Sequence, residues 1–493
     1  MSGAFAGQRA AVIGLGASGR AAARVLLDEG AEVLVSEARP GEEIEIAYGG
    51  EPAGLDGMGL RALAMDGSEP GLRVRAGGHR PEHLDQATLV VVSPGVPPEA
   101  PVISWARERG LPIWSELELG ARLCRVPVVA VTGTNGKTTT VQLIAAMMRE
   151  AGLEARSCGN VGYPFSLAAR ERLDALVVEA SSFQLAFSES LRPRVSVLLN
   201  LAPDHLDWHG SFEAYSSSKA RIFARQGEGD VHVGNRDDAD AARVSRRASC
   251  EVRWFRWGRP AEGEVGVIDG EVVARSGGPS GEVRLGRLAL STRALLIDAA
   301  AAAAAALAFG VTPEAIAPAL EGFDPLPHRG SVVATAGSVK FVDDSKATNP
   351  HAALAALEDR SGVVLIAGGL AKGLDLSPLR EAAPALSAVV AIGEAAPAIE
   401  ALFRAKVPVQ TAGSIEEAVE TATRLAPERG TVLLAPACAS QDMFRDYRER
   451  GERFTAAARR VAARAAARRP EPHPPGQSRS SLPGISDRGG WRA

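Results

Sequence analysis

At roughly 150 residues per domain, a chain of 493 residues is too long for one core and predicts three domains. Its hydrophobic content of 46%, charged content of 23% and formal net charge of −4 are those of an ordinary globular protein, and give no field for gathering nucleic acid. Cys124, Cys158, Cys250 and Cys438 are scattered without C-x-x-C spacing, which favours free thiols in a reducing cytosol; with no leader and no apolar run of about 20 residues, a cytoplasmic protein without membrane insertion is expected.

The first block, residues 1–115, opens with the strand Ala10-Ala-Val-Ile, which enters the turn Gly14-Leu-Gly16-Ala-Ser18-Gly19 and then an Ala-rich helix. A second strand, residues 31–35, ends at Ser36-Glu37, placing an acid where dinucleotide folds often hold a ribose hydroxyl. Alone, such a glycine pattern serves equally to pack a helix on a strand. A further strand, residues 88–92, ends in Ser93-Pro94-Gly95, another turn at a carboxyl edge.

The second block, residues 116–325, carries the most informative stretch, Val128-Val-Ala-Val-Thr132-Gly133-Thr134-Asn135-Gly136-Lys137-Thr138-Thr139. A β-branched apolar run suits a buried parallel strand, and the glycines let backbone N–H groups close around phosphate oxygens where a helix begins. Lys137 would neutralise phosphates, and Thr138 would offer its hydroxyl to Mg²⁺. The loop is short of the general pattern, since Val131 stands where a glycine is usual. Leu176-Val-Val-Glu179 continues through Ser181-Ser182-Phe183-Gln184-Leu185 as a predicted buried strand. Another strand, Val195 to Asn200, runs into Asp204-His205. Glu179 and His205 at these strand ends suit either Mg²⁺ or a hydrogen-bonded structural role. Residues 299–306, all alanine, read as a tightly packed core helix.

The third block, residues 326–467, contains Asp343-Asp344-Ser345-Lys346-Ala347-Thr348-Asn349-Pro350, then Gly368-Gly369 with Lys372, then Ala437-Cys438-Ala439-Ser440. Strands ending in glycines, hydroxyls and lysines predict another ligand-binding α/β unit. Residues 468–493, rich in Pro, Ser, Arg and Gly, predict a disordered tail.

The set Ser93-Pro94-Gly95, Ser181-Ser182-Phe183-Gln184-Leu185, Asp344-Ser345-Lys346-Ala347-Thr348-Asn349 and Ala437-Cys438-Ala439-Ser440, around the Lys137 loop, resembles the ATP-dependent Mur ligases of peptidoglycan synthesis. The resemblance is strongest to the branch that adds D-glutamate. It implies an α/β fold of three domains: a Rossmann-like N-terminal domain, a central P-loop-type ATPase domain with a mostly parallel sheet, and a C-terminal Rossmann-like α/β domain. It implies UDP-N-acetylmuramoyl-L-alanine, D-glutamate and ATP as substrates, an acyl-phosphate intermediate, two Mg²⁺ ions and a monomer.

By the same resemblance Gly133, Thr134, Asn135, Gly136, Lys137, Thr138 and Thr139 hold ATP, joined on domain closure by Arg329, Asp344 and Lys346. Thr138, Glu179 and His205 are the implied metal ligands, and Lys219 matches a lysine that carries a carbamate, the alternative being a solvated helix lysine. The UDP-substrate falls to Ala17, Ser18, Glu37, Arg39, Ser93, Pro94, Gly95 and Asn160. D-Glutamate falls to Thr348, Lys372, Ser440 and Tyr447, with His205 also a match.

The chain departs from the family where a His-Asn pair and a further Asn usually precede the adenine site, here Ala294, Leu295 and Asp298, which leaves the adenine contacts open. Ser331, Ala371 and Gln441 are further departures. Three rival readings remain: an NAD oxidoreductase built on Gly14, Gly16, Gly19 and Glu37, which leaves the Lys137 loop unexplained; a nucleotide-binding paralogue without turnover; and a sister Mur ligase that adds another amino acid.

Overall fold

The computed structural model describes residues 3–40, 70–276, 281–289, 292–358 and 360–467, so the expected tail lies outside the described residues. Among these, the strands form three sheets in chain order, joined by helices that cover their faces. Among the described residues, no helix is long and apolar enough to cross a membrane.

The first sheet is wholly parallel, with β1 (Arg9–Ile13), β2 (Glu32–Ser36), β3 (Leu72–Arg75), β4 (Leu89–Val92) and β5 (Ile113–Ser115) in the order β3-β2-β1-β4-β5. Its strand β4, Leu-Val-Val-Val, is apolar and buried throughout, as suits a parallel strand covered on both faces. Strand order reverses at β1, which opens a crevice at the carboxyl ends of β1 and β4. Gly19 is fixed by packing there: a Cβ would lie 2.0 Å from the Gly14 carbonyl oxygen and 2.8 Å from Ser93 Oγ.

The second sheet contains β6 (Val128–Thr132), β7 (Ala155–Gly159), β8 (Ala175–Glu179), β9 (Val195–Leu198), β10 (Val231–Asn235), β11 (Glu251–Phe255), β12 (Val265–Ile268), β13 (Glu271–Arg275) and β14 (Glu282–Arg287). Their order is β14-β13-β12-β11-β10-β9-β6-β8-β7, parallel except for the terminal β12-β13-β14 meander. Strand β6 therefore sits between β8 and β9, and the ends of all three open on one edge. The Arg293–Phe309 helix buries residues 299–306 completely or nearly so, in one core cluster with the Lys137–Glu150 helix. Alanine keeps the side-chain layer thin, so the two backbones approach closely.

One sequence expectation is corrected: the strand reaching Glu179 stops there, and Ser181 begins the Ser182–Ala186 helix. The reason is a capping box, in which Ser181 Oγ accepts from Gln184 N and Gln184 Oε1 accepts from Ser181 N.

The third sheet orders β15 (Ser331–Ala336), β16 (Val339–Asp343), β17 (Val363–Gly368), β18 (Leu386–Ile392), β19 (Val409–Ala412) and β20 (Thr431–Leu434) as β15-β16-β20-β17-β18-β19. β15 pairs antiparallel with β16, and the other named pairs are parallel. The 344–349 loop leaves the carboxyl end of β16 toward the second sheet.

Candidate active site

The phosphate loop leaves β6 through Gly133 (φ +156) and Gly136 (φ +85), and Gly136 caps the Lys137–Glu150 helix. Val131 is buried within the strand, so the missing glycine is simply a strand residue: the chain stays extended to Thr132, whose hydroxyl donates to the Ala180 carbonyl at 2.8 Å. Lys137 Nζ curls back to donate to the carbonyls of Gly133 and Thr134, each at 2.9 Å. Thr138 Oγ1 donates to Glu179 Oε2 at 2.8 Å, and Asn160 Nδ2 donates to Glu179 Oε1 at 3.0 Å. A hydroxyl and a carboxylate are thus already in register at the start of the helix.

Lys219 lies on the Phe212–Ala220 helix and is 2% exposed, which removes the solvated-lysine alternative. Its Nζ donates to the Gly133 carbonyl at 2.7 Å and stands 4.6 Å from the centroid of the Tyr215 ring. Burial, and then the neighbouring Lys137 charge, push its pKa well below the ordinary lysine range, against the pull of Asp204 and Glu179. Burial lowers Lys137 as well. Tyr215 holds Thr134 Oγ1 at 2.9 Å and so ties the Lys219 helix to the loop.

His205 occupies a left-handed backbone position (φ 53), with its amide donating to Asp204 Oδ1 at 2.9 Å and its ring 4.7 Å from that of Phe183. Burial lowers its pKa, with the Asp204 charge opposing and Lys137 and Lys219 reinforcing, which favours the neutral imidazole and its lone pair.

From the third sheet, Arg329, Asp344, Lys346 and Thr348 face these groups across one cavity of about 650 Å³, whose lining also includes Asp298, Asn349 and His351. Burial raises Asp344 and Asp298 to about 7, against the nearby Arg329 charge. Burial, reinforced by Arg329 and Lys137, lowers Lys346 to about 8, and its Nζ sits 4.0 Å from the centroid of the Tyr447 ring.

Other expected site residues lie elsewhere. Ala17, Ser18, Glu37, Arg39, Ser93, Pro94 and Gly95 sit around the crevice of the first sheet. Glu37 is committed to internal partners there: Oε2 accepts from Leu15 N at 2.6 Å and Oε1 from Arg39 Nε at 2.9 Å. Burial opposes its charge, yet these bonds hold its pKa at about 2. Lys372, Ser440 and Tyr447 do not line the cavity; the loops carrying the first two are joined by an antiparallel bridge between Leu370 and Ala439. Sequence reasoning left Asp204, Asn349 and His351 unassigned; Asn349 before Pro350 had the signature of a helix cap.

For Mg²⁺ the donor chemistry fits. Among the described residues no three His, Cys, Asp or Glu form a closed cage. A single carboxylate beside a threonine hydroxyl suits an ion that keeps waters and phosphate oxygens in its shell.

A three-sheet α/β chain whose phosphate loop meets buried lysines and a carboxylate across a cavity shared by two of its sheets defines an enzyme that uses a nucleoside triphosphate. Residues 131–269 match the Mur ligase middle domain, and residues 328–438 match the Mur ligase, glutamate ligase domain. The UDP-N-acetylmuramoylalanine–D-glutamate ligase of Frankia casuarinae is 42% identical over 92% of this chain and 94% of its own length. That of Salinibacter ruber is 42% identical over 90% and 96%. Among solved structures, UDP-N-acetylmuramate-alanine ligase from Thermotoga maritima superposes with a TM-score of 0.57 at 19% identity, covering 92% of this chain and 99% of that one. The chain belongs to the Mur ligase family, in the branch of the UDP-N-acetylmuramoylalanine–D-glutamate ligases.

Proposed function

We propose that this chain joins D-glutamate to UDP-N-acetylmuramoyl-L-alanine at the expense of ATP, releasing ADP and phosphate, in the cytoplasmic assembly of peptidoglycan precursors. The observation that carries the reading is the meeting, in one cavity, of the phosphate loop, Glu179 and Lys219 with Arg329 and Lys346 of the third sheet. Amide formation from a carboxylate and an amine in water is uphill. The alanyl carboxylate therefore attacks the γ-phosphorus, ADP departs, and the resulting acyl phosphate is opened by the amine of D-glutamate, which expels phosphate and loses a proton.

Each step gathers negative charge, and fixed cations in a water-poor cavity stabilise it most. Lys137 leaves the loop carbonyls for the phosphates, with the amides of residues 133–139 around them, and Arg329 and Lys346 close from the other side. Asp344 lies beside them. Thr138, Glu179 and His205 would hold Mg²⁺, two ions in all, which supplies charge neutralisation of the phosphates when bound. The lowered pKa of Lys219 favours the free amine, which adds to CO₂ with loss of a proton to give a carbamate. That anion would offset the paired lysines and support the metal. Ala17, Ser18, Glu37, Arg39, Ser93, Pro94, Gly95 and Asn160 bind the UDP-substrate in this reading, and Thr348, Lys372, Ser440 and Tyr447 bind D-glutamate. The working unit is a monomer divided at about residues 115 and 325.

The test is phosphate release from ATP by purified protein supplied with each substrate alone and with both, together with detection of the amide product. Release that requires both substrates, with one amide formed per phosphate, is expected. Turnover that ignores D-glutamate, or nucleotide binding without turnover, would overturn the assignment.

A further inference from the structure

Asn349 caps the Pro350–Leu357 helix of the third sheet, its Oδ1 accepting from Ala352 N at 2.9 Å. Its amide nitrogen reaches out of that unit in two directions, donating to Asn135 Oδ1 and to Asp204 Oδ2, each at 3.1 Å. Asn135 reciprocates by donating to Asn349 Oδ1 at 3.3 Å, and the same nitrogen lies 3.0 Å from His351 Nδ1. Neither receiving element is loose. The Asn135 amide donates to Asn200 Oδ1 at 2.8 Å, and Asn200 Nδ2 donates back to the Asn135 carbonyl at 3.2 Å. Asp204 accepts the amide of His205, the residue with the left-handed backbone. One side chain, 2% exposed, therefore touches both the phosphate loop and the His205 turn from the opposite side of the cavity.

We propose that Asn349 is a positioning residue that couples docking of the third sheet to the geometry of the phosphate loop and of His205. Its contacts hold the unit that delivers the amine over the site while the carboxylate is activated, so that the acyl phosphate meets the amine rather than water. The inference rests on the ligase reaction proposed above. The chemistry requires an amide. The side chain must accept from its own helix while donating to an amide oxygen and a carboxylate, and no other short side chain does all three.

Asn349→Asp retains the cap but loses both donors and faces Asp204 with like charge. Asn349→Ser retains the cap without the repulsion. Asn349→Ser is expected to melt close to the wild type, and Asn349→Asp lower, because it buries a second carboxylate beside Asp204. Amide formation is expected to slow by about 100-fold, the scale of a 1 Å misplacement at a reacting centre. KM for the UDP-substrate should change little. More phosphate should be released than amide formed, because water reaches the activated carboxylate. Asn135→Ala should reproduce the uncoupling, and Asn135→Ala with Asn349→Ser should be no worse than either alone.

A phosphate-to-amide ratio that stays at one in every variant would overturn the proposal, whether the rates fall or not, since a loss of folded protein lowers both products equally. The wild type in the same assay reports on the ligase reading separately. A wild type that makes no amide would remove that reading and this inference with it, whereas a coupled wild type with coupled variants removes the inference alone.

Discussion

Replacing Gly136 by alanine puts a methyl group where the Asp298 carboxylate already stands. Gly136 has φ +85, a conformation that costs an L-residue about 1–2 kcal/mol. A Cβ built there lies 2.1 Å from Asp298 Oδ1, 2.8 Å from its Cγ and 3.0 Å from Oδ2, so either the loop or the Arg293–Phe309 helix must move. That helix is locked by its buried alanines, and the loop is the softer partner. Overpacking by one methylene costs about 1–3 kcal/mol, which brings the sum to roughly 2–5 kcal/mol. If the loop absorbs this by turning its amides off the phosphates, ATP affinity falls by between about 30-fold and a few thousand-fold, at 1.4 kcal/mol per decade. Gly136→Ala combined with Asp298→Ala removes the overlap but not the backbone strain, and should retain a loss of only about 5- to 30-fold. Calorimetric titration of ATP into the single and double variants, with Asp298→Ala alone as reference, measures both parts. A Gly136→Ala protein that binds ATP within threefold of the wild type, or a double variant no better than the single, would refute the reasoning.

Lys219→Ala should lose more than about 100-fold in turnover, the usual scale for a charge that stabilises a transition state, and recover in part with a small added aliphatic carboxylate; full activity without rescue discards the carbamate. Glu118 is wholly buried and accepts from the amides of Glu189 and Ser190 at 2.8 and 2.9 Å, the hydroxyls of Ser188 and Ser190, and Arg122 Nε at 2.7 Å. Glu118→Ala orphans these donors and should destabilise the fold by about 3–5 kcal/mol in urea titration, so a change below about 1 kcal/mol would contradict the geometry. His232 is buried between Ser196 Oγ and Ser245 Oγ, and burial lowers its pKa to about 3. The unfolded chain takes up this proton below about pH 6.5 and the folded chain does not until about pH 3, so stability present above pH 6.5 drains away as pH falls through that window, by several kcal/mol in all. His232→Gln should flatten the melting temperature between pH 6.5 and 4, and an unchanged slope would assign the acid sensitivity elsewhere.

The parts of the site that were legible in the sequence are those written locally. A β-branched run ending in Gly133 and Gly136 ahead of Lys137 specifies strand, loop and helix within a dozen residues, and the 299–306 alanine run specifies its own close packing. Ser181-Ser182-Phe183-Gln184-Leu185 misled because it continues an apolar run, whereas the reciprocal Ser181–Gln184 bonds end the strand at Glu179. Asn349, His351 and Asp204 were illegible for another reason. Each has a complete local explanation, as a cap, a helix residue or a turn, and only the meeting of two sheets gives it a second role. Lys372 and Ser440 show the converse, residues marked by resemblance that the chain seats outside the central cavity.

The electrostatics of the cavity follow one rule. Lys137, Lys219 and Lys346 are all held below the ordinary lysine range, while Asp298 and Asp344 are held near 7, and in every case burial is the leading cause. A cavity that disfavours charge of either sign is poorly matched to its own side chains but well matched to a polyanion with its counter-ions. Phosphate groups entering it favour the protonated lysines, and the binding free energy then includes restoring those charges. Two lysine nitrogens on the single carbonyl of Gly133 are the extreme case. Either the triphosphate draws Lys137 away, or Lys219 gives up its positive charge, and the proposed reaction uses both.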